Sequence, residues 1–167
     1  MALHDEVHPM AETPGRAGLS PDERRTLTSV LDEIIPPSPD GSLPGAGELG
    51  LADHVEGVLE RTPELRPVLA RGLAALDELA RGRGAKNFAA LPREQRVEAL
   101  QGLAATQPQC LPTLVFHTYT GYYQAGRVLE ALGLEARPPH PRGYVVEAGD
   151  PSLLDPVRRR AKMYREC

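Results

Sequence analysis

The chain has 167 residues, a net charge of −4 and 25% charged residues; it is long enough for one domain with a real core, and its acidic balance argues against nucleic acid as the main partner. Aromatic content is only 4%, with no Trp, so the core must be built mostly from Leu, Ala and Val. No apolar run approaches the roughly 20 residues that span a bilayer, which argues against direct membrane insertion.

Residues 1–19 lack an apolar segment and read as a disordered tail, and residues 20–167 as one helical domain. Arg24-Arg25 is not an export signal, because the acid-bearing helical stretch TLTSVLDEII follows it. Without a signal peptide, the cytoplasm is the expected location, with export alongside a partner as the alternative. Ser20, Pro21 and Glu23 form a capping-box pattern ahead of Leu27, Val30, Leu31 and Ile34 at helical spacing. The prolines of PPSPDGSLPG end that helix. A second helix is expected from about Leu49 to Leu59, burying Ala52, Val55 and Val58. A third starts at Pro63 with Thr62 as its cap, carrying Leu65, Val68, Leu69, Leu73, Leu76 and Leu79 on one face.

Pro92 opens a fourth helix with Val97, Leu100 and Leu103 inward. TLVFHTYTGYY is apolar on more than one side, as a central helix should be. RVLEALG is a short helix closed by Gly133, and LEARPPHPRGY is an extended loop. Asp150-Pro151 or Asp155-Pro156 starts a last helix. Only GYVVEAG hints at strand alternation, and it is too short to build a sheet. The expectation is an all-α fold of six or seven helices joined by proline-rich loops.

Gly45, Gly47 and Gly50 have the spacing of a dinucleotide-binding fingerprint. That motif requires a preceding strand and a βαβ unit, whereas a helix and a proline-rich loop precede it here, so a turn between helices is expected. His4, His8, His54, His117 and His140 show no metal-ligand spacing. No nucleophile signature is present, and Cys110 and Cys167 read as free thiols, Cys110 as a small buried hydrophobe. The chain is expected to be no enzyme by itself and to need no cofactor.

Tyr119, Tyr122 and Tyr123 are three of seven aromatic residues. By spacing, Tyr119 and Tyr122 share a face and Tyr123 points elsewhere; core packing and interface anchoring are both open to them. The basic run at Arg158, Arg159 and Arg160 is either a solvated helix end or a contact for an acidic partner surface. Pro36, Pro37 and Pro44 in one loop, and Pro138 and Pro139 in another, are linkers or stiff contact loops that lose little entropy on docking.

The segments LDEIIPPSPDGSLPGAGELGLADHVEGVL, LAALDELARGRGAKNFAALPREQRVEAL and YTGYYQAGRVLEALG, in this order, resemble the gluconate 2-dehydrogenase subunit 3 family. RPPHPRGY…LLDPVRRRAKMYR resembles the tail of one branch of it. The resemblance implies a non-catalytic accessory subunit that binds, stabilises and assists maturation of an FAD-containing oxidoreductase of the glucose-methanol-choline (GMC) type. The flavin would sit in that large partner, which acts on a sugar, glycoside or other alcohol. The expected docking face combines the two proline loops with Tyr122 and Tyr123, and sets Arg158–Arg160 at its rim. A free-standing helical scaffold or regulator, and a small helical enzyme or ligand carrier, are the competing readings.

Overall fold

The Ser20 capping box forms with both halves in place: the Ser20 hydroxyl accepts from the Glu23 amide, and the Glu23 carboxylate accepts from the Ser20 amide. It opens α1 (Pro21–Ile34), whose buried side is Thr26, Leu27, Val30 and Leu31. Glu23 also accepts two hydrogen bonds from Arg66, at 2.8 and 2.9 Å, which ties the cap to the first residue of a later helix. This computed structural model describes residues 18–137 and 148–161. Residues 1–17 of the expected tail, Pro138, Pro139, most of GYVVEAG and Cys167 lie outside the described residues; Leu19, expected in the disordered tail, instead packs against the core and its amide donates to the Glu56 carboxylate at 3.1 Å.

Then follow α2 (Leu51–Arg61), α3 (Arg66–Gly82), α4 (Arg93–Thr106), α5 (Cys110–Tyr122), α6 (Gly126–Ala131) and α7 (Asp155–Arg158). Among the described residues there is no strand, and the fold is all-α as the periodicity implied. The chain divides into two units between Ala136 and Arg137, a boundary the sequence reading did not draw. In the first unit, α1, α2, α3 and α5 pack around Leu27, Leu31, Val55, Leu73, Leu76 and Leu114, with α4 laid on α3 and α5. Asp77 of α3 is a junction within it. Its carboxylate accepts from the Thr26 hydroxyl of α1 and from the Phe88 amide, seating the buried Phe88 ring. The second unit holds a 3-10 turn at Pro151–Leu154, capped by Asp150, that runs into the single turn of α7.

Three local expectations are corrected. Thr62 caps nothing with its side chain, and Pro63–Leu65 is a 3-10 turn ahead of α3. The cause is Pro67: in an α-helix begun at Pro63 it would owe a hydrogen bond it cannot donate, and its ring would strike the Pro63 carbonyl. On α4 the inner side is Ala99, Leu100 and Leu103, while Val97 is 38% exposed. And α5 buries one side only.

Candidate docking surface

The inner row of α5 is Cys110, Leu114, Thr118, Gly121 and Tyr122, all buried. Close approach sets this row. Gly72 of α3 leaves room for the Cys110 sulfur, and Gly121 leaves room for the His54 ring of α2, which a Cβ there would meet at 2.8 Å. Burial pushes the Cys110 thiol up, so it is a poor nucleophile, consistent with a packing role. The His54 Nε2 is buried without a hydrogen-bond partner. Burial first, and then the Arg61 guanidinium, hold His54 below the usual imidazole range. His117 is lowered by burial and by the neighbouring His54 and Arg61.

The opposite row of α5 is Pro112, Phe116 and Tyr119, continued at the same helical period by Tyr123 at the C-cap, and open to solvent. Phe116 is 65% exposed, Tyr119 46% and Tyr123 51%. Tyr119 and Tyr123 lie 6.0 Å apart between ring centres, and Phe116 meets the His117 ring edge-on at 5.1 Å. The apolar character on two sides was legible in the sequence; that the second side is bare was not. A further signal was there to use: residues 99–126 contain no Asp, Glu, Lys or Arg. In a chain with 25% charged residues, an open helix without charge is the composition of an interface centre.

The expected face is therefore redrawn. Tyr122 is 2% exposed and belongs to the core, edge-on to Tyr123 at 5.4 Å. Its hydroxyl donates to the Pro44 carbonyl at 2.8 Å, and Pro44 is itself buried. Neither residue is open to a partner; together they fasten the first proline loop to the end of α5. Tyr123 instead shares its row with Tyr119. Pro36 and Pro37 are exposed and line a cleft of about 320 Å³ with Asp32, Glu33, Arg93 and Arg96. The nearly buried Glu33 carboxylate holds Arg96 there at 2.7 Å and Arg93 at 3.4 Å. Arg158, Arg159 and Arg160 are exposed in the second unit. Leu153, Leu154 and Val157 beside them are exposed too.

The glycine loop folds onto α1. Asp32 accepts from the Gly47 amide at 2.7 Å and the Glu48 amide at 3.2 Å, so two donors of the kind that elsewhere hold a phosphate are engaged by a carboxylate. A Cβ on Gly45 or Gly47 would strike Asp32, and on Gly47 also the Thr28 carbonyl. Positive φ does not explain these two glycines; it belongs to Gly41, Gly50, Gly84 and Gly133. Among the described residues, no group of three or more His, Cys, Asp and Glu side chains converges to hold a metal ion, and no helix is long and apolar enough to cross a membrane.

No curated protein and no solved structure matches the chain. A model of the family described as gluconate 2-dehydrogenase subunit 3 matches residues 21–131. That span runs from the first residue of α1 to the last of α6, covering every residue of the buried core described above, and the chain belongs to the gluconate 2-dehydrogenase subunit 3 family.

Proposed function

We propose that the chain is a non-catalytic accessory subunit that binds, stabilises and assists maturation of an FAD-dependent oxidoreductase of the GMC type, the flavin residing in that partner. The observation that carries this reading is the family match over residues 21–131, since a subunit 3 works as part of a larger dehydrogenase. Stabilisation follows from linkage. A subunit that binds only the folded flavoprotein stabilises it by roughly 2.7 kcal/mol when its free concentration is about a hundredfold above Kd. The exposed Pro36–Pro37 corner presents stiff backbone with little entropy left to lose. Pro138 and Pro139 join it as candidate contacts on the strength of composition. Arg158, Arg159 and Arg160 serve at a rim, where charge alters association rate more than affinity.

The test is to tag the chain in its source organism, purify it, and record the visible spectrum and dye-linked dehydrogenase activity of the eluate. A flavin band carried by a second, larger polypeptide, with activity on a sugar or other alcohol, is the expected outcome. Stoichiometric flavin on the isolated chain, or an eluate without any flavoprotein, overturns the reading.

A further inference from the structure

We infer that the outward row of α5, Phe116, Tyr119 and Tyr123, is the centre of the surface that holds the flavoprotein subunit, and that the patch it meets is apolar and uncharged. This rests on the accessory-subunit reading above and adds the place and the chemistry of the contact. The row leaves apolar area on the order of 300 Å² in water, on one side of one helix. Its exposure is not a fraying end. The buried row beside it shares its period and places Tyr122 inside, one residue before Tyr123.

Charge is arranged around the row rather than in it. α5 carries no Asp, Glu, Lys or Arg. Near its C-terminal end, Glu48 and Arg127, both more than half exposed, pair at 3.7 Å and act on the Tyr122 hydroxyl. Arg61 acts on His117, whose ring meets that of Phe116 edge-on. Aromatic side chains at an uncharged centre with ionic groups outside it are the composition of a binding hot spot and its rim.

The same features select the occupant. A lipid surface is bound through an excess of basic residues flanking the apolar stripe, whereas the flanking charge here is mixed: Arg61 beside His117, and Arg127 paired with the Glu48 carboxylate. A second copy meeting ring to ring would have three aromatics a side to offer, well short of the roughly 800 Å² per partner that a stable interface buries. Membership in a family of dehydrogenase subunits supplies a different chain to cover the row together with the surface around it. That favours the flavoprotein.

The experiment uses the full-length tagged chain and the flavoprotein that co-purifies with it, recognised by its flavin band. Phe116→Gln with Tyr123→Gln should weaken binding at least about thirtyfold, as loss of two hot-spot rings does. Val97→Gln, an exposed apolar site on α4, should leave binding unchanged. Melting curves of each variant report folding, and hydroxyl-radical footprinting of the wild-type complex reads the same face without any substitution: Phe116, Tyr119 and Tyr123 should be protected. If the wild-type chain recovers the flavoprotein while the double variant binds equally well, or the three rings stay reactive in the complex, the face is wrong and the accessory reading stands. If the wild-type chain recovers no flavoprotein, the accessory reading falls and this inference with it. If sedimentation shows a dimer that the double variant dissociates, the row belongs to a second copy. Row-dependent flotation of the chain with vesicles of phosphatidylcholine and phosphatidylglycerol would assign it to lipid. Either of these two results overturns the assignment.

Discussion

A methyl group placed on Gly47 has nowhere to go, because the Thr28 carbonyl of α1 and the Asp32 carboxylate already occupy its position. A backbone carbonyl inside a helix cannot swing aside, so Gly47→Ala must lift the loop off α1 and break the Asp32 bonds. The expected cost is about 1–3 kcal/mol, typical of overpacking, seen as a lower melting temperature. Gly102 is the counter-case. It sits on the exposed side of α4 with no neighbour near its Cβ direction. Gly102→Ala should therefore stabilise by about 0.5–1 kcal/mol through helix propensity and reduced unfolded-state entropy. Calorimetry on the two variants should give shifts of opposite sign. At this scale the sequence placed Gly45 and Gly47 in a loop between two helices, because the flanking patterns were helical. It could not say why the glycines are glycines: the neighbours that crowd them, Thr28 and Asp32, are distant in sequence, and only folding brings them there.

At the scale of elements, the packing of α2 on α5 has a pH dependence with a definite sign. His54 faces Gly121 of α5, its Nε2 buried and unpartnered. The charged group acting on it is Arg61 of its own helix; for His117 of α5 they are Arg61 and His54 itself. The carboxylates nearest His54 on α2, Asp53 and Glu56, are both paired with Arg24 of α1. Both imidazoles are thus lowered in the folded chain. Below the ordinary value of about 6.5 the unfolded chain binds more protons. Stability should be complete above about pH 6.5, fall as the pH drops towards the depressed folded values, and level off below them. Glu23 works in a separate, more acidic window. Burial raises its carboxyl, but the Arg66 hydrogen bonds and the Ser20 cap outweigh that and hold it below 4.5. Its contribution is present above that value and lost beneath it. Melting curves from pH 8 to 5 should show the histidine slope, and His54→Gln with His117→Gln should flatten it; an unchanged slope would assign it to other groups. Element reading succeeded where one signal acted alone, as with the Ser20 box and the Gly133 stop. It failed at Thr62, where a second proline four residues after Pro63 overruled the cap, and at α5, where two apolar rows look alike until neighbours cover one of them.

For the whole molecule, the order of helices and their period were legible because each is written locally, whereas the redrawn face depended on which surfaces the packing leaves bare. Tyr122 and Tyr123 are adjacent and chemically identical, yet one closes the core and the other is half exposed. Helical phase separates them, and phase relative to α2 and α3 is a tertiary fact. The division after Ala136 leads to a last expectation. Among the described residues, every member of the buried core lies at or before Val128, and α6 ends before the break. The second unit's Leu153, Leu154 and Val157 are exposed. A chain ending at Ala136 should keep its helical circular dichroism and melt within about 3 °C of the full-length protein. If Arg158–Arg160 act at the rim of the complex, the same truncation should slow association with the flavoprotein and reduce its salt dependence, with a smaller change in dissociation rate. Stopped-flow or surface-based kinetics at two ionic strengths separates these terms. A melting temperature lower by 10 °C or more would mean that the C-terminal segment completes the core, and its arginines would then be held by the fold rather than offered to a partner.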